Sequence, residues 1–73
     1  MMATTPRIQV TLNGQPVPCP DGATIPELLE EQGMRPDRVI VEFNGQAQTR
    51  AESAATRLSD GDRLEVVRIV AGG

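Results

Sequence analysis

Two Asn-Gly pairs, Asn13-Gly14 and Asn44-Gly45, each close a stretch in which polar and apolar residues alternate. Ile8, Val10 and Leu12 fall on one face of the first stretch; Val39, Val41 and Phe43 fall on one face of the second. A period of two is that of a half-buried strand, and Asn-Gly supplies the positive φ angles of a two-residue type I′ turn. The chain is therefore committed to hairpins, and its helices must fit around them.

The second arm of the first hairpin, Gln15 to Cys19, contains Pro16 and Pro18. Neither can donate to a ladder, so this arm is predicted at a sheet edge, ending at Asp21-Gly22. Thr24-Ile25-Pro26-Glu27 has the pattern of a capping box, in which the Thr24 hydroxyl and the Glu27 carboxylate each accept from the other residue's amide. Proline is tolerated in a first helical turn, whose amides lack helical partners. Ile25, Leu28 and Leu29 make one apolar stripe, with Glu27, Glu30 and Glu31 on the wet side. Gly33 suits the left-handed position beyond the helix, Met34 folds back as its hydrophobic contact, and Pro36 prevents continuation.

Arg38 to Phe43 is predicted as a third strand and Gln46 to Arg50 as a short fourth. Ala51 to Arg57, rich in Ala and Ser, reads as a loop with one helical turn, anchored by Leu58. Asp60-Gly61 marks another turn, and Arg63 to Val70 is the last strand, with Leu64 and Val66 inward. One helix crossing a mixed sheet of four to five strands is the economical way to bury these stripes. This is an α+β architecture, the β-grasp or ubiquitin-like fold, with the first and last strands as parallel neighbours at its centre. The expected core is Ile8, Val10, Leu12, Val17, Ile25, Leu28, Leu29, Val39, Val41, Phe43, Leu58, Leu64 and Val66.

Composition bounds what such a domain does. A chain of 73 residues is one domain at most. It has no histidine, tyrosine or tryptophan, and Cys19 is its only cysteine. The commonest general base and metal ligand is therefore missing, a cysteine zinc site is ruled out, and no metal site or catalytic role is expected. Cys19 is expected as a small apolar filler. The net charge of −3 disfavours nucleic acid and anionic membranes. All seven basic residues are arginines, so self-conjugation through lysine is excluded. The start of the chain has no signal-peptide pattern; the expected location is cytoplasmic, and the free protein is expected to be a monomer.

After Val66 the alternation fails, because Val67, Ile69 and Val70 place apolar side chains on both faces. The chain then ends Ala71-Gly72-Gly73. With glycine near 7% of residues, two final glycines arise by chance in roughly 0.5% of chains. Glycines are costly to order, and one physical reason for them is access to a narrow channel that rejects any Cβ. The organisation predicted is a flexible N-terminus over 1–6, a β-grasp domain over 7–66 and an extended C-terminal segment over 67–73 that presents the Gly73 carboxylate.

Several segments together carry a family resemblance: Asn13-Gly14, the Leu28-Leu29 helix ended by Gly33, Val39 to Asn44, Leu58-Ser59-Asp60-Gly61-Asp62-Arg63-Leu64-Glu65-Val66-Val67, and Val70-Ala71-Gly72-Gly73. They resemble the sulfur carriers of thiamine biosynthesis, the ThiS type of the ThiS/MoaD ubiquitin-like superfamily. The resemblance implies a carrier that is the substrate of an E1-like adenylyltransferase of the ThiF type, which spends ATP-Mg to form an acyl-adenylate at Gly73. Sulfur from a donor such as a cysteine desulfurase then gives a covalent thiocarboxylate, used by a thiazole synthase of the ThiG type. The resemblance implies that the carrier itself binds no cofactor stably. Ala71 and Gly72 would thread the partner's channel. Val67, Ile69 and Val70 would be apolar docking contacts and Glu65 a charged one. Asp60 and Asp62, which flank the turn glycine, read most simply as turn residues, and Arg68 as a solvated strand-end charge, with partner docking the alternative for all three. The small subunit of molybdopterin synthase, carriers for tRNA thiolation or cysteine synthesis, and ubiquitin-like protein modifiers share the fold and the Gly-Gly end, so they stand as alternatives.

Overall fold

The alternating stretches fold as their period requires. The structure, a computed structural model, describes residues 6–70. Strands β1 (Arg7–Leu12) and β2 (Gln15–Pro20) form the first hairpin. Helix α1 (Ile25–Glu31) follows, then a 3-10 turn (Pro36–Arg38), β3 (Val39–Phe43), β4 (Gln46–Gln48), helix α2 (Arg50–Ala55) and β5 (Arg63–Arg68). The five strands make one mixed sheet in the order β2-β1-β5-β3-β4. β1 and β5 run parallel at its centre, while the other pairs are antiparallel. β2, with Pro16 and Pro18, lies at an edge, where missing amides cost no ladder bonds.

Both Asn-Gly turns adopt the left-handed conformation, with φ of 51° at Asn13 and 48° at Asn44. Asparagine tolerates this region because its short amide bonds locally, and here the amides reach β5. Asn13 Oδ1 accepts from the Val66 amide at 2.7 Å, and Asn13 Nδ2 donates to the Val66 carbonyl at 3.2 Å. On the other side of the strand, Asn44 Oδ1 accepts from the Arg63 amide at 2.8 Å, and its Nδ2 donates to Asp62 at 3.2 Å.

Helix α1 is punctuated at both ends. Thr24 Oγ1 accepts from the Glu27 amide, and Glu27 Oε1 accepts from the Thr24 amide at 2.8 Å. These bonds from the Thr24 backbone and hydroxyl stabilise the ionised Glu27, whose pKa lies below the usual glutamate value. At the far end Gly33, at φ 78°, donates to the Glu30 carbonyl, and Met34 donates to that of Leu29. This pairing is a Schellman motif and satisfies the carbonyls that the helix leaves open.

The core joins α1 to the sheet. Val10, Ile25, Leu28, Leu29, Leu58 and Leu64 are fully buried, with Leu12, Val41 and Val66 beside them. Ile8, Val17, Val39 and Phe43 pack against this cluster from half-buried positions. Every residue of the expected core is thus within it or against it. Ala23, Met34 and Cys19 join it as well.

Three expectations are corrected. Residues Arg50–Ala55 form a helix with its own capping box, Thr49 and Glu52, where a loop with one turn was expected. Arg50 belongs to that helix, so β4 stops at Gln48. β5 continues through Val67 and Arg68, which pair with Ile40 and Val39, and the extended segment therefore begins at Ile69 and not at Val67. Of the segment 1–6 expected as a flexible start, residues 1–5 lie outside the described residues, while the Pro6 carbonyl accepts from the Asp21 amide at 2.9 Å.

Two outcomes test this packing. Asn13→Gly keeps the left-handed turn but removes both bonds to Val66, and urea unfolding is expected to show a loss of about 1–3 kcal/mol at unchanged m-value. A loss under about 0.3 kcal/mol would show that these bonds contribute little against their cost in ordering. Cys19 is inaccessible, and burial, then the nearby Glu31 carboxylate, push its thiol pKa up. A thiol reagent is expected to label it only as the domain opens, at a rate that follows urea concentration; rapid labelling of the native protein would contradict its place in the core.

Candidate functional site

β5 is the strand that carries the chain out of the domain, and its neighbours fix where it leaves. Beyond Leu12 the chain of β1 turns away, so the β1 side of Val66 faces no strand. The Asn13 amide fills that place with an acceptor and a donor. On the other side β3 pairs with β5 as far as Arg68, and the Ile69 amide makes a last bond to the Arg38 carbonyl at 2.8 Å. Val70 follows with its side chain open to solvent. Ala71, Gly72 and Gly73, the residues expected to thread a channel and to carry the reacting carboxylate, lie outside the described residues.

The other sequence-derived candidates fall into two groups. Val67, Ile69 and Val70 are exposed at 62%, 48% and 82%, and Ile40, paired directly with Val67, is exposed at 56%. Val67 and Ile40 make an apolar pair on the outer face of the sheet, and Ile69 and Val70 continue the exposed apolar surface into the exit. Ile40 was missed by sequence reasoning, although Val39-Ile40-Val41 breaks the strand alternation just as Val67 does. Glu65 lies on the same outer face, directly across from Glu42. Opposed like charges on neighbouring strands are unfavourable by a few tenths to about 1 kcal/mol. Arg68 falls by alternation on the opposite face, with Leu64 and Val66.

Asp60 and Asp62 form the second group, and the structure keeps them away from the exit. They sit before the start of β5, about 23 Å from Ile69 at a strand rise of roughly 3.3 Å per residue. Asp60 Oδ1 accepts from the Gln9 amide at 2.8 Å, and Asp62 Oδ2 accepts from the Ser59 amide at 2.7 Å. With the Gly61 amide donating to the Gln9 carbonyl, these bonds prolong the β1–β5 contact through the turn. Both carboxylates are engaged in shaping the turn that starts β5. Cys19 stands opposite Ile8 near the start of β1, likewise far from the exit.

Residues that sequence reasoning did not assign complete the surroundings. Gly33, Met34, Arg35, Arg38 and Val39 close around Arg68 and Ile69 to leave a recess of about 260 Å³ at the root of the exit. Arg35 bonds Asp37 at 3.3 Å; no other ion pair occurs among the described residues. Among the described residues no helix is long and apolar enough to cross a membrane.

Comparison with known proteins agrees with this architecture. The model of the ThiS family matches residues 10–73. A sulfur carrier protein ThiS from Thermus thermophilus is 42% identical over 64 residues, covering 88% of this chain and 98% of that protein. A thiazole synthase from Magnetococcus marinus is 35% identical over 66 residues, which are 90% of this chain but 20% of that larger protein. Among solved structures, the crystal structure of the thiamine biosynthesis protein ThiS from Geobacter metallireducens superposes with a TM-score of 0.70 at 34% identity, over 90% of this chain and all of that one. With a family match over residues 10–73, a ThiS relative matched along 98% of its length and the β-grasp sheet in common with a solved ThiS structure, the chain belongs to the ThiS family.

Proposed function

We propose that this protein is a sulfur carrier for thiazole formation in thiamine biosynthesis, working through the carboxylate of Gly73. The observation that carries the reading is the way β5 leaves the sheet: held by Asn13 at Val66 on one side and by β3 to Arg68 on the other, then released with Ile69 and Val70 exposed, directly ahead of Ala71-Gly72-Gly73. The family match running through Gly73 supports it.

The chemistry follows from what a carboxylate lacks. At neutral pH it is a poor electrophile, so a partner of the E1-like adenylyltransferase class must first activate it. The Gly73 carboxylate attacks the α-phosphorus of ATP-Mg held by the partner, and pyrophosphate leaves. The outer sulfur of a persulfide, formed on a donor such as a cysteine desulfurase, then attacks the acyl carbon and displaces AMP. A second thiol of the partner cleaves the sulfur–sulfur bond, forming a disulfide with the donor cysteine and releasing the thiocarboxylate. The resulting thiocarboxylate is a soft nucleophile for a thiazole synthase. The contribution of this domain is positional: Ala71 and Gly72 thread the channel, while Val67, Ile69, Val70 and Ile40 offer apolar surface to the channel mouth. Glu65 and Glu42, held opposite each other, would be relieved by a cationic group of the partner. Asp60 and Asp62 hold the turn before β5.

A thiazole synthase as the recipient is favoured over molybdopterin, tRNA or protein acceptors by one observation. In Magnetococcus marinus a segment similar to this chain is part of a protein of that name.

Incubated with its adenylating partner, ATP-Mg and a sulfur donor, the protein is expected to gain the mass difference between sulfur and oxygen. Deleting Gly73 is expected to abolish the gain while leaving the thermal midpoint unchanged. A mass gain that survives the deletion would contradict the assignment of Gly73, and no gain with the intact chain would contradict the carrier role.

A further inference from the structure

We infer that the recess at the root of the exit is a receptor for carboxylate side chains on the protein that takes up the C-terminal segment. The inference rests on the carrier reading above and names the chemistry of the surface that reading requires.

Three of the seven arginines of this acidic chain, Arg35, Arg38 and Arg68, line one recess. The fold forces them together. Arg38 ends the 3-10 turn and enters β3, Arg68 ends β5 opposite Val39, and the Schellman turn after α1 brings Arg35 to the same end. Of the ten carboxylate side chains in the sequence, Asp37 alone is paired here, with Arg35. Among the described residues the guanidinium groups of Arg38 and Arg68 make neither an ion pair nor a hydrogen bond. They do not serve the end of α1 either, because the Leu29 and Glu30 carbonyls already accept from Met34 and Gly33. Like charges gathered without local compensation cost stability, and an arriving anion relieves that cost.

Position selects the anion. Ile69 is both a wall of the recess and the first residue beyond the sheet. A protein that draws in the chain past Val70 must press the rim of its channel against this ring. Guanidinium forks match carboxylates in bidentate geometry, and the floor of Met34, Val39 and Ile69 accepts an aliphatic side chain between them. The partner's rim is therefore expected to carry Asp or Glu beside an apolar residue.

Carrier-dependent ATP–pyrophosphate exchange by the adenylating partner tests this. Arg38→Glu and Arg68→Glu are each expected to raise the KM for the carrier about tenfold, with kcat held and a weaker dependence on salt, since a rim charge acts through encounter. The neutral Arg38→Gln and Arg68→Gln should shift KM in the same direction by less, and thermal midpoints that do not fall exclude misfolding. Arg50→Glu, at the start of α2, serves as the control for net charge. An unchanged KM in both reversals, or an equal rise with Arg50→Glu, would overturn the recess while leaving the carrier role intact. Absence of exchange with the unaltered chain would overturn both.

Discussion

Val66 keeps its backbone bonded on the β1 side because the side chain of Asn13, held in the left-handed turn, stands in for the strand that has turned away. Without this pair β5 would be held on one side only over its last residues. With it, the strand is supported by β1, then by Asn13, and along its other side by β3 to Arg68. Asn44 does the same at the start of the strand, through the Arg63 amide. The turns that close the two hairpins thus double as clamps on the central strand, and the direction in which the chain leaves the domain depends on them.

What is placed around that exit divides by face. The outer face carries an apolar pair, Ile40 and Val67, beside the opposed Glu42 and Glu65. The helix face carries the arginine recess. A partner that receives the end of this chain therefore meets an apolar pair and a negative pair on one face and a positive ring on the other, and each asks for a different complement. Such mixed patterning favours specificity and orientation over bulk affinity. It suits a carrier that must be released after each transfer. The catalytic groups that the chain lacks, histidine above all, are the ones its partners would bring.

Local signals in the sequence were read well where the cause is local. Asn13-Gly14 and Asn44-Gly45 gave the hairpins, Thr24 and Glu27 the helix start, Gly33 and Met34 its end, and Pro16 and Pro18 the edge. The second capping box, Thr49 and Glu52, carried the same signal but stood before a stretch of Ala and Ser without an apolar stripe, so the helix it starts was read as a loop with one helical turn. The start of the extended segment was misplaced at Val67 for a different reason, and the last strand, expected to run to Val70, ends at Arg68, opposite the first residue of β3. Val67 breaks the alternation, yet its backbone pairs with Ile40, and pairing is set by the neighbour and not by side-chain pattern. The arginine recess was illegible altogether. Arg35 and Arg68 are far apart in sequence, and only the crossover of α1 and the antiparallel pairing of β3 with β5 bring them to one place. The roles of Asp60 and Asp62 in shaping the turn were legible from their spacing around Gly61; their distance from the exit needed the structure.

The claim that the domain is a mount for chemistry at its C-terminal residue is tested most directly by locating the acquired sulfur. Trypsin cleaves after Arg68 and frees the peptide from Ile69 to Gly73, while Cys19 remains in a separate fragment. Tandem mass spectrometry of protein taken from sulfur-loaded reactions is predicted to place the exchange of oxygen for sulfur on the Gly73 carboxyl of that peptide. Sulfur found instead as a persulfide on Cys19, with an unaltered terminal peptide, would contradict it.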